Sequence, residues 1–572
     1  MSGKATTRRP KRWDNPYGEN ISEDEIEAAL RLPLLAAIDQ TNFRGEMTLR
    51  NIIRHDSRVV HYRRGDVVVH KGDYGHAVFQ IMSGHVRVLM EKDIDIQRQL
   101  PPKKLSYLES LAMLWKNPTG IEVRRNYHRT GQTRLQIRQN ADNQAQAFVA
   151  DLDSLVDETS VRLGDGEMFG EIAALTRAPR NATVVAETDA TLLEISWQGF
   201  REIRQRDLQF RAKIDALYQS RAFEMHLRES PLFAHLDSET LSRIVVDTVF
   251  ETHGDMEWSR QLKDVRARQD NSDLSHEPII VEEGHYINSI ILVRSGFARV
   301  SSRLGEGHRT ISCLSKGDVF GLREILDHRA GRGELIYRHS LRALSYVDIL
   351  RIPVSVFEDL VLTKLTEQAL RPMVEQLITA AMLDDDSVDG GNSRLEQTQL
   401  EAQVNYRTVN GTAAMAIDLN RCVGCDDCVR ACASAHGNNP RFVREGLSHA
   451  NLMIGSACMH CVDPVCLIGC PTGAIHRSLI GGSVVIEENL CIGCGTCANA
   501  CPYESIRMVA IRDDQEKVIL DADTQAPVLK ATKCDLCSSL PGGPACQRAC
   551  PHDALIRIDM RERDKLAAWL AR

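Results

Sequence analysis

Sixteen of the 17 cysteines lie between Cys422 and Cys550, in four groups of four, and only Cys313 falls outside. The first group is Cys422, Cys425, Cys428 and Cys432, spaced C-x2-C-x2-C-x3-C. The second is Cys458, Cys461, Cys466 and Cys470, with x4 in the middle and Pro471 at the end. The third, Cys491, Cys494, Cys497 and Cys501, repeats the first spacing and adds Pro502. The fourth, Cys534, Cys537, Cys546 and Cys550, has a longer middle gap and Pro551. An iron–sulfur cubane needs four thiolates aimed at its iron corners. Three close cysteines on a tight loop supply one face, and the cysteine before proline ligates the neighbouring cluster where two share a domain. Four such groups imply four [4Fe-4S] clusters in two cross-ligated pairs. Structural zinc uses separated pairs and does not call for a further cysteine after x3. A disulfide framework belongs to small secreted chains.

The elements that must position these cysteines belong to a multidomain chain, since 572 residues exceed one core and suit three to four domains. A hydrophobic content of 43% and a charged content of 26% are those of a globular protein. The net charge of −8 argues against nucleic acid as a partner. No apolar run reaches transmembrane length, so no direct membrane insertion is expected. Residues 1–20 read as a disordered basic tail: Arg8-Arg9 is followed by no apolar stretch, so neither a secretory nor a twin-arginine signal is expected. A reducing cytoplasm is the expected location.

Residues 21–60 have helical spacing, which Pro33 breaks or restarts. From Tyr62 short β-branched runs alternate with Gly65, Gly72, Gly75 and Gly84, the pattern of a small barrel or jelly roll. An insertion at about 91–160 carries a helix-like piece, 105–117, and a polar stretch; strands resume after Ser160, and one charged helix is expected from Trp197 to Arg228. A second copy of the barrel follows, with a helical lead-in at 231–244 and Gly284 and Gly296 echoing Gly72 and Gly84. Cys313 reads as a small buried residue. Helical sequence runs from Val354 to Met382, and the acidic, glycine-containing stretch 383–408 reads as a linker without apolar periodicity. No helix-turn-helix pattern follows the barrels.

The stretch Phe169-Gly-Glu-Ile-Ala-Ala-Leu-Thr-Arg-Ala-Pro-Arg-Asn-Ala-Thr183 resembles the phosphate-binding cassette of cyclic nucleotide-binding domains. A short helix opening near Gly170 offers free N–H groups to an anion. Glu171 is suited to a ribose hydroxyl and Arg180 to the cyclic phosphate, with Pro179 fixing its approach. Asn181 and Ala182 complete the cassette. Asn181 stands where the family usually has a small or hydroxylated residue, so cAMP and cGMP both stay open, and the alternative is a barrel that only packs and docks. The second cassette keeps Phe320-Gly321 but has Leu322 for the glutamate, and Arg338-His339-Ser340 does not restore the Pro-Arg pattern. The second barrel is expected to regulate by contact.

The run Cys422 to Cys550 resembles the four-cluster electron-transfer subunit of the dimethyl sulfoxide reductase family of molybdopterin enzymes, and related subunits of hydrogenases and nitrite or polysulfide reductases. The resemblance rests on Pro471-Thr-Gly-Ala-Ile, Lys533-Cys-Asp-Leu-Cys537 and Gly542-Gly-Pro-Ala-Cys546, and on the absence of proline after Cys432. It implies that groups one and four exchange their last cysteines, and that groups two and three do the same. It also implies redox partner proteins: a molybdopterin-type or hydrogenase-type catalytic subunit and a membrane-anchor subunit that would make the chain peripheral to a membrane. Hairpins are expected at Gly481-Gly482 and between groups three and four.

Together these readings give a multidomain α+β chain. Its parts are a tail (1–20), a cyclic nucleotide-binding-like jelly roll with its insertion (21–228), a second with a degenerate cassette (229–382), a linker (383–408) and a duplicated ferredoxin-like four-cluster domain (409–572). No pterin motif, Rossmann fingerprint or Walker loop is present, so the expected role is electron transfer between partners, without a substrate-transforming site. A redox and nucleotide signalling protein, or a scaffold whose barrels dock the redox module, are the alternatives.

Overall fold

The computed structural model describes residues 6–18, 21–89, 135–139, 145–149, 160–254, 258, 262–263, 277–365 and 391–572, except 177, 306, 345, 480, 514, 539 and 541. Two jelly rolls come first, each of two four-stranded sheets. In the first, one sheet runs in the order Ser57–Tyr62, Ala190–Ser196, Ala77–Ser83, Met168–Phe169, and the other Val67–Val69, Thr183–Ala186, Val86–Leu89, Val161–Leu163. The second repeats that order with Val249–His253, Val347–Pro353, Ser289–Ser295, Val319–Phe320 and with Ile279–Val281, Ser340–Ala343, Ala298–Leu304, Gly307–Leu314. The turn glycines are sterically required. A Cβ on Gly84 would lie 2.4 Å from the Asp189 carbonyl, and one on Gly296 would lie 2.2 Å from that of Tyr346, and both have positive φ.

Helices pack on the first barrel through Ile26, Ile52, Phe200 and Phe210 in one apolar cluster. Pro33 restarts the chain as the first residue of the helix Pro33–Ala36. The single helix expected over 197–228 is two, Trp197–Arg206 and Leu208–Glu229. Asp207 divides them because its carboxylate accepts the N–H groups of Phe210 and Asp39, capping the second helix and holding the N-terminal region. At 231–244 the helix begins only at Ser238, behind the capping side chain of Asp237. After Val354–Phe357 a π-helical turn covers Glu358–Leu362, residues 363–365 turn away from helix, and 366–382 lie outside the described residues.

Two other expectations are corrected. Within 383–408 stands a helix, Gly391–Asn405; Leu400 and Val404 bury themselves with Phe297, Leu344 and Val409, so tertiary packing supplies what the weak periodicity lacked. The basic tail is docked over residues 6–18: Thr6–Thr7 pairs in parallel with Leu520–Asp521, and Arg12 bonds the carboxylates of Asp56 and Glu202. Within the insertion, Leu135–Gln139 and Ala145–Val149 form a hairpin whose Val149 bonds the Gly65 turn, while 105–117 lies outside the described residues.

The C-terminal part is built on a four-stranded sheet, in the order Val443–His449, Leu452–Ser456, Ala414–Asp418, Leu555–Ile558. The central strand Ala414–Asp418 is buried throughout. Its pairing with Leu555–Ile558 brings the loops of the first and fourth cysteine groups together. The hairpin Ile475–Arg477 with Val484–Ile486 forms as expected, with Gly481 and Gly482 at positive φ. Between groups three and four, Ile506–Ala510 pairs with Leu529–Lys533, the strand just before Cys534, and Leu520–Asp521 is drawn off to the N-terminal segment.

Candidate functional site

The cysteines gather crosswise. Cys428, Cys432, Cys534 and Cys546 share one apolar cluster with Cys422 and Cys550 packed against it; Cys470, Cys491, Cys497 and Cys501 share another, with Cys466. A cavity is lined by Cys491, Cys494 and Cys497 of the third group and Cys470 of the second. Desolvation pushes the Cys497 thiol up to about 12, and the neighbouring Cys470, Cys491 and Cys494 act in the same direction. The Cys546 thiol rises likewise to about 12, raised by burial and then by Cys534, Cys432 and Cys537 against the opposing charge of Arg557. Cys461 is driven well upward by desolvation and by Cys458, Cys466 and Cys501. Cys428 is raised to about 11, with Cys550 as its neighbouring sulfur.

Loop geometry explains how the sulfurs converge. In each group the residue before the second cysteine has positive φ: Gly424 76°, His460 50°, Gly493 68° and Leu536 60°. That conformation turns successive N–H groups to one side and forms an anion-binding concavity. Two of the groups hold it without glycine, at a cost of about 1–2 kcal/mol each. Backbone N–H groups reach sulfur from Arg441 to Cys432 (3.3 Å), from Ala531 to Cys491 (3.5 Å), from Leu536 to Cys534 (3.5 Å) and from Ala554 to Cys550 (3.4 Å). Arg557 Nη2 adds a charged donor 2.9 Å from Cys534 Sγ. Donors aimed at thiolate sulfur, on loops shaped for an anion, fit iron–sulfur cubanes. Cys425 and Cys494 are the exposed cysteines of the four groups.

The first barrel encloses a cavity of about 280 Å³, lined by Gly170, Glu171, Arg180, Asn181, Ala182 and Arg221 among others. Gly170, Glu171, Arg180, Asn181 and Ala182, the ligand-facing residues expected from sequence, therefore line one space. Arg180 is buried and donates to the carbonyls of Gly170 (2.8 Å) and Ala77 (2.7 Å), with its guanidinium over the Phe79 ring. Burial lowers its pKa to about 10. Glycine is needed beside it: a Cβ on Gly75 would stand 2.1 Å from Arg180 Nε, and one on Gly170 2.6 Å from Nη1. Glu171 opens the helix Glu171–Thr176; its Oε1 meets Arg221 Nη1 at 3.4 Å, and its buried Oε2 has no partner among the described residues. Desolvation raises its pKa. Arg221, on the helix Leu208–Glu229, was not anticipated; nothing in its local sequence ties it to a cassette 50 residues away.

In the second barrel Tyr337 stands where the first has Arg180. Gly72 N–H donates to Arg180 O (2.7 Å) and Gly284 N–H to Tyr337 O (2.8 Å); Arg180 N–H donates to Asp73 O and Tyr337 N–H to His285 O. Gly170 and Gly321 share a positive φ, 86° and 91°. The Tyr337 ring stacks on Phe320 at 5.4 Å and its hydroxyl donates to Ser289 O at 2.7 Å. An aromatic ring thus takes the place of the guanidinium that would meet a phosphate, and Leu322, also buried, replaces the carboxylate.

Known proteins resemble both parts of the chain. The cyclic nucleotide-binding domain model matches residues 152–207 and 274–364, and the 4Fe-4S dicluster domain model matches 450–560. Electron transport protein HydN of Escherichia coli (strain K12) is 34% identical over 163 residues, covering 26% of this chain and 90% of that protein. Hydrogenase-4 component A of the same organism is 33% identical over 184 residues, covering 26% and 88%. The co-crystal structure of the regulatory domain of Toxoplasma gondii PKA with cAMP aligns over 63% of this chain and 99% of that one, with 13% identity and a TM-score of 0.21.

Proposed function

Because the chain belongs to the ferredoxin-type 4Fe-4S dicluster family of electron-transport proteins and carries cyclic nucleotide-binding domains ahead of that module, we propose that it passes electrons between redox partners through four [4Fe-4S] clusters, under control of cAMP or cGMP bound in the first barrel. The ligand sets are Cys422, Cys425, Cys428 with Cys550; Cys534, Cys537, Cys546 with Cys432; Cys458, Cys461, Cys466 with Cys501; and Cys491, Cys494, Cys497 with Cys470. When bound, the clusters supply one-electron carriers, and the chain supplies ligation, burial and hydrogen bonds to sulfur. The partners are a molybdopterin-type or hydrogenase-type catalytic subunit and a membrane anchor, with this chain on the cytoplasmic side.

Control is supported by one observation: the segment Gly72–His76 touches both modules. On one side it holds the cassette through the hydrogen bonds of Gly72 and Asp73 with Arg180 and the bridge between Tyr74 and Pro179. On the other, Tyr74 lies over the Arg477 guanidinium at 5.0 Å, and His76 Nε2 donates to the Arg477 carbonyl at 2.7 Å. Arg477 in turn donates to the carbonyls of Cys461 (2.8 Å) and Val462 (2.6 Å). A phosphate that draws Arg180 off the Gly170 and Ala77 carbonyls changes the seat of this segment, and a ligand shifts the redox module only by preferring one seat.

Anaerobic iron analysis should give about sixteen iron atoms per chain; stoichiometric zinc, or half that iron, counts against the four clusters. Calorimetry with cAMP and cGMP should show one site, and potentiometry with the bound nucleotide should move the potential of the cluster assigned to Cys461. Absence of any binding favours the second reading, docking barrels. Phe297 and Leu344 of the second barrel, packed against Val409, support that reading.

A further inference from the structure

Two cations lie where the two halves of the cysteine-rich module meet. Lys533 is 4% exposed, and its ammonium donates to the carbonyls of Val484 and, at 2.9 Å, Cys534. Arg557 donates to the carbonyls of Ala413 (2.9 Å) and Cys458 (3.3 Å) and to Cys534 Sγ (2.9 Å). Lys533 therefore joins the hairpin of the second and third groups to the first ligand of the fourth. Arg557 spans from that same ligand to the first ligand of the second group. Cys458 itself packs in the apolar cluster of Cys534 and Cys546, so the two sets meet here. His460 adds no acid: its Nδ1 accepts the Val484 N–H at 3.1 Å. Among the described residues neither cation meets a carboxylate.

A buried ammonium without an anion costs several kcal/mol, and carbonyl oxygens offset only part of that. A cubane held by four thiolates is negative in both redox states, and more so when reduced. We propose that Lys533 and Arg557 are tuning residues: they are the internal counter-charges of the two clusters that face each other across the junction, held by Cys534, Cys537, Cys546, Cys432 and by Cys458, Cys461, Cys466, Cys501, and they hold the potentials of these two above those of the outer pair. Electrons crossing between the halves then meet their most easily reduced carriers at the junction. The inference rests on the ligand sets proposed above.

The test is potentiometry of the anaerobically purified full chain, followed by electron paramagnetic resonance, with iron content measured on the same samples. In Lys533→Met and Arg557→Gln the junction signals should move to lower potential. At the wild-type midpoint their reduced-to-oxidised ratio should fall about tenfold, about 59 mV for a one-electron couple, with the outer signals unchanged. Arg557→Lys keeps the charge and should stay near wild type. Unmoved potentials in fully loaded variants, or equal shifts of all signals, overturn the proposal. If Lys533→Met fails to load iron, the contrast of Arg557→Gln with Arg557→Lys decides. A wild-type iron content of half the expected value would instead refute the ligand sets.

Discussion

The two barrels share strand order, turn glycines and the register of the cassette loop, yet one places Arg180 and the other Tyr337 at the same point. The carbonyls of Ala77 and Ser289 occupy the same place, and each receives a donor at 2.7 Å, from Arg180 in one barrel and Tyr337 in the other. The fold thus requires a donor at this point and tolerates two very different ones. A guanidinium satisfies the carbonyl and keeps further N–H groups for an anion. A phenol satisfies it and leaves only an apolar ring. The comparison extends to the adjacent strand ends: Tyr74 and His76 dock on the cysteine-rich module, whereas their counterparts are Tyr286, 69% exposed, and Asn288, whose carbonyl accepts Val354 N–H as that of His76 accepts Trp197 N–H.

The largest effect is expected where the second barrel puts a ring in the guanidinium's place. Tyr337→Ala removes a buried ring and orphans the Ser289 carbonyl, so it should destabilise that barrel by about 3–5 kcal/mol in denaturant unfolding. A loss under about 1 kcal/mol would show that the ring contributes little to the packing of that barrel. The same variant should bind no nucleotide, since Leu322 offers no acceptor. Next, Arg180→Ala should weaken cyclic nucleotide binding by about 1.5–3 kcal/mol, roughly ten- to a hundredfold, by calorimetry. Affinity that survives the substitution would move the site elsewhere.

These contrasts were unequally legible in sequence. The cysteine groups were plain because ligand spacing is local, and the first cassette was plain because Gly170 and Arg180 stand ten residues apart on one loop. Tyr337 was hidden. Sixteen residues separate it from Gly321, so the longer loop carries the equivalent position past any fixed count, and only backbone pairing reveals it. The helix Gly391–Asn405 was missed for a related reason: its apolar residues are too few for an amphipathic pattern, and the face that buries Leu400 and Val404 comes from Phe297 and Leu344, about 100 and about 60 residues earlier. The docking of residues 6–18 depends on acceptors such as Asp521 and the carbonyl of Gly493, which no local signal announces.

The docked strand end should respond to pH where its counterpart does not. Burial, and then the neighbouring His476, lower the His76 pKa from the ordinary 6.5 to about 4. The folded, docked state therefore holds His76 neutral. Stability from this contact is complete above pH 6.5 and is lost as pH falls from there toward 4, by about 2 kcal/mol at pH 5. The protection factors of the hairpin Ile475–Arg477 with Val484–Ile486, exchange rates divided into the intrinsic rate at each pH, should fall between pH 7 and 5. His76→Asn, which copies the second barrel, should flatten that dependence; an unchanged pH profile would show that another group titrates.

The smallest and most discriminating contrast pairs the two tyrosines. Tyr74 covers the Arg477 guanidinium and lies against Gly482, where an added Cβ would meet its ring at 2.2 Å. Tyr74→Ala should cost about 1 kcal/mol through the lost cation–π contact, and it should expose the 475–486 hairpin to protease. Tyr286→Ala removes a ring that stands in solvent and should change stability by no more than about 0.5 kcal/mol. The two substitutions are chemically identical and sit at matching positions of a duplicated fold, so intrinsic strand preference cancels between them. What remains is docking. Equal effects at Tyr74 and Tyr286 would mean that the first barrel gains nothing from the cysteine-rich module at this contact, and the path from Arg180 to the Cys461 carbonyl would lose its middle link.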